Sequence, residues 1–406
     1  MIVRNPSVKA ELQRAIEVAA VAFPDTPIEQ WAESFENVAE LFGLRYVMIV
    51  EDEGLIVSTL ICQPRPVYIN GSPVSHASTG AVATLPEARK KGFAGEMLAQ
   101  TVRMLRSEKV CLSSLWTGLY PFYRKVGWEA GSEVKIYSAP GKVYAEIGDA
   151  SRVRSAKEGE LGNIKAIYDD WAQDHNCLTS RSDVWWDKVT RVREPLKMIA
   201  EPCADVSIVV HTTGDQIDGY AAYKFLQDKE NQVINVFEIA FSEPTHRRDM
   251  LAALGSLVGD GRLAMYAPCD DLFLHEVPNP RTISTSVNTS FQFRVVDPVE
   301  AMKNLTIDEG AQGAASFSIS DPVFNEGWDF GVEADGEKLR ITKPASKRRL
   351  EMDIQTFAQL YSGYLKPYDA WELGRIRADG DAMEMLICAG DIFSPLTPYR
   401  TWLEPG

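Results

Sequence analysis

The sequence predicts an α+β protein in which one order of elements occurs twice and is followed by a strand-rich module. Three observations carry that expectation. A chain of 406 residues, 45% of them hydrophobic, exceeds what one core usually holds, since single cores stop growing near ~250 to 300 residues. Amphipathic helical segments open two successive regions and are followed in each by apolar, β-branched runs. Each region also contains a strand that runs through a proline and a basic cluster into a helix: "VATLPEARKKGFAGEML" from Val82 and "EIAFSEPTHRRDMLAAL" from Glu238.

In the first region, "KAELQRAIEVAAVAF" places Leu12, Ile16, Ala19, Ala20 and Phe23 on one helical side, and "IEQWAESFENVAELF" is a second helix. Three antiparallel strands follow, punctuated by the turn signals "EDEG" and Asn70-Gly71. A helix starting near Gly92 gathers Ala94, Met97, Leu98, Thr101, Val102 and Leu105 on one face. Beyond it come a strand in "VCLSSLW", a helical turn in "PFYRKVGWEAG" that ends at a glycine, and a strand in "EVKIYSA". The polar stretch Ala145–Glu160 separates the second region, with helices in "LGNIKAIYDDWAQDH" and around Trp185 and Trp186, four strands, and the helix "DMLAALGSLVG". The third region follows "FRVVDPVEAMKNL" and is strand-rich before it turns helical, which suits a compact α+β module.

Composition excludes several classes of function. A formal net charge of −15 argues against general nucleic-acid binding, which needs clustered Lys and Arg to displace counterions. No apolar run reaches the roughly 20 residues of a membrane-spanning helix, and the start lacks a signal-peptide pattern, so a cytoplasmic location is expected. The six cysteines lie far apart without a CxxC pair, and no two of the five histidines have zinc-protease spacing; no metal is expected.

The junction at Val82–Leu98 carries the functional expectation. A strand that delivers the chain onto the free N–H groups of a helix start makes an anion cradle, strengthened by the helix dipole, and phosphate is its natural guest. Gly92 lets the backbone approach without a Cβ, Ala94 nearly so, and Arg89, Lys90 and Lys91 add positive charge.

With its strand, its RxxGxA spacing and its helix, the stretch resembles the coenzyme A signature of the GCN5-related N-acetyltransferase superfamily (GNAT). "STGAVATLPEARKKGFAGEML", "FYRKVGWE", "FQFRVVDPVEAMKNL" and "DPVFNEGWDFGVEADG" are similar to the enhanced-intracellular-survival branch over nearly the whole chain. The resemblance implies tandem acyl-coenzyme A N-acyltransferase domains, catalytic over 1–148 and degenerate over 149–297, and a sterol-carrier-protein-like α+β domain over 298–406. It further implies acetyl-CoA as co-substrate, a homo-oligomer (a hexamer in the family), and an acceptor amine that is a small cation, an aminoglycoside-like molecule or a lysine side chain. Coenzyme contacts are then expected at Val82, Ala83, Thr84, Arg89, Lys90, Lys91, Gly92, Phe93, Ala94, Gly95, Gly118 and Leu119.

Acetyl transfer from a thioester needs an oxyanion site, a proton for the departing thiolate and a neutral amine. Main-chain dipoles at Val82–Thr84 suit the first need. Tyr123 matches the family's proton-donating tyrosine, a phenol that keeps its proton at neutral pH. The family's base is the carboxylate of the last residue, here Gly406; Glu404 or water are the alternatives, because this chain runs on past Trp402. Phe23, Asp25, Trp31 and Phe35 are expected to form an aromatic and acidic wall for a cationic amine. In the second region Asp249 is expected at the position of the cradle glycine, and Glu238 beside it, where both would repel a diphosphate. An alternative keeps the fold without turnover, as an acyl-CoA or lipid carrier.

Overall fold

A computed structural model describes residues 1–188, 198–200, 203–228, 231–345, 349–378, 382–393 and 396–404. The chain divides into two compact units, Met1–Gly131 with Phe291–Pro395, and Ser132–Ser290 with Leu396–Pro405.

The first unit holds a seven-stranded sheet. Its order is Ile2–Arg4, Val47–Asp52, Leu55–Pro64, His76–Thr84, Leu112–Trp116, Phe291–Val295 and Glu129–Ala130. All neighbours are antiparallel except His76–Thr84 with Leu112–Trp116, the pair joined by the helix Phe93–Ser107 as a crossover. Helices Lys9–Ala22 and Ile28–Leu41 cover the sheet with the apolar side that includes Leu12, Ile16 and Ala19. The Asn70-Gly71 turn has both residues at positive φ, 50° and 71°, as a two-residue hairpin loop requires. It joins Val67–Ile69 to Ser72–Val74 in a small hairpin of its own, outside the main sheet.

The same unit contains a second sheet, Leu339–Thr342, Trp328–Asp335, Gln312–Ser320, Leu350–Asp353 and Arg377–Ala378, with helices Ile354–Ser362, Pro367–Glu372 and Ala382–Ile392. Phe317, Phe330, Phe357 and Phe393 fill its core, with ring centroids 5.4 to 6.3 Å apart.

The second unit is built on a sheet ordered Val153–Ser155, Cys203–Thr213, Gln216–Asp228, Asn231–Phe241, Arg262–Ala267, Glu133–Pro140 and Ser284–Thr289, with Met198–Ala200 beside Cys203–Thr213. Two strands therefore lie in sheets that local order does not suggest. Glu133–Pro140, which follows the first region's elements, pairs with Arg262–Ala267 and Ser284–Thr289. Phe291–Val295, which follows the second region's elements, is fully buried in the first unit's sheet. The Ala145–Glu160 stretch is not merely a linker. It closes the helix Gly141–Ala145 and supplies the strand Val153–Ser155, paired with Val209–His211.

Candidate active site

The cleft of the first unit begins where two strands part. His76–Thr84 pairs with Leu112–Trp116 only at His76–Leu112, Ala77–Ser113 and Ser78–Ser114. On its other edge the strand stays paired with Leu55–Pro64 as far as Thr84, but the register slips by one residue between Thr59 and Ile61. The extra residue is accommodated at Ala81, which sits at φ 52°. That conformation costs a non-glycine residue about 1 kcal/mol or more, and such bulges re-aim a strand beside a site. Ser58 anchors the far end by donating to the Ala83 carbonyl at 2.6 Å and meeting the Thr84 hydroxyl at 2.8 Å. Past Ser78 the main chain is thus left with one edge open to a ligand.

The helix Phe93–Ser107 starts across this opening. Gly92 is its N-cap at φ 85° and ψ −1°, the left-handed region, and no side chain caps the helix. A Cβ on Gly92 would meet nothing within 4 Å, so glycine is needed there for its φ rather than for close approach. The first N–H groups, from Phe93 to Gly95, are orphan donors at the positive end of the dipole. Phe93 is the residue that buries itself at the helix start, whereas Ala94 is half-buried and faces the cleft. Arg89, Lys90 and Lys91 precede the helix as exposed cations, and among the described residues none has an ion-pair partner. Lys90 also adopts positive φ, 64°, and the Arg89 Nε donates to the Thr84 carbonyl at 3.2 Å.

A cleft of about 510 Å³ results, lined by Val82, Ala83 and Thr84, by Arg89, Lys90 and Gly92 to Gly95, and by Ala22, Phe23, Ala88, Leu119, Phe122 and Tyr123. Five expected residues lie off this lining. Lys91 is turned over the Phe93 ring, its Nζ 5.8 Å from the centroid, and Gly118 and Asp25 are likewise outside the lining. Trp31 stands behind Phe23, ring centroids 5.3 Å apart, with its buried indole N–H unpartnered among the described residues. Phe35 is fully buried in the core, so it is a packing residue and not a wall of the cleft. Gly406 lies outside the described residues.

Tyr123 sits on the short helix Tyr120–Arg124, edge-on to Phe122 at 5.0 Å and to Trp128 at 6.5 Å. Burial pushes its phenol up to about 12. The group is therefore protonated throughout the physiological range. Transfer to a fully solvated thiolate, which titrates near ~8.5, would be uphill by about 5 kcal/mol. A thiolate that develops inside the same desolvated cleft is also raised, which narrows the gap.

Comparison with known families places this geometry. Residues 3–131 match an acetyltransferase (GNAT) domain model, residues 177–295 match a second acetyltransferase (GNAT) domain model, and residues 298–401 match a sterol carrier protein domain. The chain is a tandem GNAT acetyltransferase. A curated relative from Streptomyces avermitilis, named as an uncharacterized N-acetyltransferase, is 20% identical over 344 residues, 80% of this chain and 81% of its own length. Among solved structures, a GCN5-related N-acetyltransferase from Anabaena variabilis superposes with a TM-score of 0.84 at 16% identity, covering 100% of both chains. A probable N-acyltransferase from Enterococcus faecalis gives 0.82 at 20% identity over 98% of this chain and 99% of its own. Eis1 from Mycobacterium abscessus gives 0.77 at 18%, also over 98% and 99%. At these identities the structural likeness speaks to the fold.

The second GNAT domain repeats the parting of strands but fills part of it, leaving a cavity of about 260 Å³ lined among others by Phe241, Arg247, Tyr266 and Tyr399. Asn231–Phe241 and Arg262–Ala267 are parallel from Val233–Arg262 to Val236–Met265 and then separate. Into that gap comes the segment that starts at Leu396: Thr401 reaches the Phe237 carbonyl at 3.4 Å and the Tyr399 hydroxyl reaches the Tyr266 carbonyl at 3.3 Å. Glu238, expected as a repelling charge, is instead neutralised. Its carboxylate accepts from Arg181 at 3.0 and 2.6 Å and from the Tyr220 hydroxyl at 2.5 Å, all buried. Glu404 belongs to the same network, accepting from Arg181 at 2.9 Å, from Arg400 at 3.2 Å and from the Thr179 hydroxyl. A carboxylate held by two guanidinium groups is a poor base.

Asp249 also differs from expectation. The helix of this GNAT domain begins at Pro244, so Asp249 lies in its second turn and not at a cradle position. Its carboxylate accepts from the Asp149 amide at 2.7 Å and meets His211 Nε2 at 3.1 Å. His211 Nδ1 meets Asp218 at 2.5 Å, and the His246 ring stacks on His211 at 4.3 Å. His211, Asp218 and His246 thus bring ligand-type atoms within 4.8 Å of one another, a grouping that sequence spacing missed. Both nitrogens of His211 already face carboxylates, so the group is a buried hydrogen-bonded network tying the helix to two strands. Among the described thiols, burial pushes Cys62 up to about 12 and Cys269 and Cys388 to about 11, away from the thiolate a nucleophile needs.

Proposed function

We propose that the first GNAT domain binds acetyl-CoA in the 510 Å³ cleft and transfers its acetyl group to a primary amine. One observation carries the reading: Arg89 and Lys90, cations without an ion-pair partner among the described residues, the left-handed Gly92 and the uncapped helix start open on the same cleft as Tyr123. Diphosphate would be held by the amides of Phe93, Ala94 and Gly95 together with the Arg89 and Lys90 charges. The thioester would lie along the open edge at Val82–Thr84. Once its ammonium has given up a proton, the neutral amine nitrogen attacks the thioester carbonyl carbon, main-chain donors hold the oxyanion, the C–S bond breaks, Tyr123 gives its proton to the sulfur, and the second proton shed by the acylated nitrogen restores the phenol.

The acceptor is a cationic amine, small or on a lysine side chain, presented against Phe23, a half-exposed aromatic face at the cleft mouth. The amine's own proton goes to solvent or to the chain's terminal carboxylate, because Glu404 is occupied by Arg181 and Arg400. Membership of the enhanced-intracellular-survival branch, a hexameric assembly and a cytoplasmic location extend the same reading. No helix among the described residues is long and apolar enough to cross a membrane.

A thiol-trapping assay with acetyl-CoA and a panel of cationic amines tests it. Thiol release with at least one amine is expected, together with product mass increased by one acetyl group. Coenzyme binding without release for any amine would leave a carrier and not an enzyme of this substrate class.

A further inference from the structure

Three side chains converge from outside the first GNAT domain on the turn that carries Tyr123. After the helix Tyr120–Arg124 the chain folds through Val126, Gly127 and Trp128 into the strand Glu129–Ala130. Arg124, Val126 and Ala130 each present a carbonyl that an amide or guanidinium takes. Gln355 Nε2 donates to the Arg124 carbonyl at 2.8 Å, Arg294 Nη1 to the Val126 carbonyl at 2.7 Å, and Gln359 Nε2 to the Ala130 carbonyl at 2.6 Å.

Two of these three donors are themselves held by the sterol carrier domain. Arg294, on the strand Phe291–Val295, donates from Nη2 to both Asp321 oxygens at 2.8 Å, and neither side chain is exposed at all. Asp321 in turn accepts from the Val323 amide at 2.8 Å. Gln359 Oε1 accepts from Arg375, whose other nitrogen stands 3.9 Å from Glu129. The turn is shaped to receive this. Gly127 is at φ 92°, and a Cβ there would lie 1.5 Å from Arg294 Nη1. Trp128 is fully buried between Tyr123, edge-on at 6.5 Å, and the Arg294 guanidinium, 5.8 Å from its ring.

We propose that the sterol carrier domain works as a clamp on the proton donor: Asp321, Gln355, Gln359 and Arg375, partly through Arg294, are positioning residues that fix the Tyr123 turn. The proposal rests on the reading of Tyr123 as the donor. It gives the domain a role separate from the cavity of about 400 Å³ that Pro367, Tyr368, Leu386, Ile387 and Phe393 help to line. The energetic logic is that of a preorganised site, in which a displacement of about 1 Å away from the reacting atoms can lower a rate by about 10²-fold.

The test is a double-mutant cycle on the full chain, with kcat, the KM for acetyl-CoA and the coenzyme Kd measured for each variant. Gln355→Leu removes one donor at a partly exposed position and leaves the buried ion pair intact; Asp321→Asn removes the anchor of Arg294. A fall in kcat of about 3- to 10-fold for Gln355→Leu and more for Asp321→Asn is expected, with the coenzyme Kd unchanged. In the Tyr123→Phe background the same substitutions should change kcat by less than about twofold, because there is no donor left to misplace. Losses that multiply undiminished with Tyr123→Phe, or a Kd that rises in step, overturn the clamp while leaving Tyr123 in place. A Tyr123→Phe enzyme with full kcat overturns both. If Asp321→Asn does not fold, Gln355→Leu alone decides, and an unchanged kcat in that variant counts against the clamp.

Discussion

The two GNAT domains share one architectural device and use it in opposite ways. In each, two parallel strands part and a helix crosses the opening. In the first the edge is left free: Lys90 and Lys91 have no ion-pair partners among the described residues, and the helix begins on a left-handed glycine. In the second, the buried charges Glu238 and Arg247 at the corresponding place have internal partners. Glu238 is met by Arg181, and Arg247 by Asp271 and Glu276, while Tyr399 and Thr401 reach into the gap. On the proposed reading, competence for an anionic coenzyme is a matter of unpaired charge and uncommitted backbone, not of fold. A buried ion pair is worth little when complete and costs much when broken, so the second domain's network is costly to open, and the cavity beside it, about 260 Å³, is half the volume of the first domain's cleft.

The contrast can be broken most sharply at Tyr123. Tyr123→Phe should lower kcat by roughly 10² to 10⁴ while the coenzyme Kd, measured by calorimetry, stays as it was. Unchanged turnover would remove the phenol from the chemistry. In the second domain, Glu238→Ala leaves Arg181 with one fewer buried partner. It should destabilise that domain by about 3 to 5 kcal/mol in denaturant unfolding, with no change in coenzyme affinity. Weaker coenzyme binding by a well-folded Glu238→Ala protein would mean that the second domain takes part in it.

A narrower comparison pits Gly92 against Asp249. Gly92→Asp puts a Cβ into a left-handed position and a carboxylate against the diphosphate, and should raise the coenzyme Kd by about 10- to 10²-fold. Asp249→Ala should leave the Kd alone and lower thermal stability, since it removes the partner of the Asp149 amide and of His211 Nε2. The smallest effect is in pH. Because burial pushes the Tyr123 phenol up to about 12, the donor keeps its proton as pH rises and is lost only as pH approaches that value. The kcat profile should show no alkaline fall from this group below about pH 11; a descending limb between pH 8 and 9 that vanishes in Tyr123→Phe would contradict the assignment.

Much of the first cleft was legible because it is local. Val82 to Gly95 is one uninterrupted run of strand, basic turn and helix start, and the residues that line the cleft from it are nearly those that the motif resemblance implied as contacts. Sequence could not separate Phe35 from Trp31, since aromatic residues four apart share one helix side whether it meets a core or a cleft. Nor did it show the exchanged strands, because a short apolar run such as Phe291–Val295 looks the same whichever sheet it joins. Asp249 lies beyond the position its basic cluster suggests, because the helix starts at Pro244, ahead of that cluster. The role of Gly127 is not legible locally either. Its real constraint is a guanidinium contributed by Arg294, far along the chain, and no local pattern reports such a partner.

The most direct measurement is a crystal structure of the chain with acetyl-CoA or coenzyme A. The expected result is one coenzyme per chain, its diphosphate on the amides of Phe93, Ala94 and Gly95 and its sulfur within hydrogen-bond reach of the Tyr123 hydroxyl. A coenzyme bound instead against the strand Asn231–Phe241 in the second domain, or a diphosphate held away from the helix start at Gly92, would contradict the division of labour between the two domains.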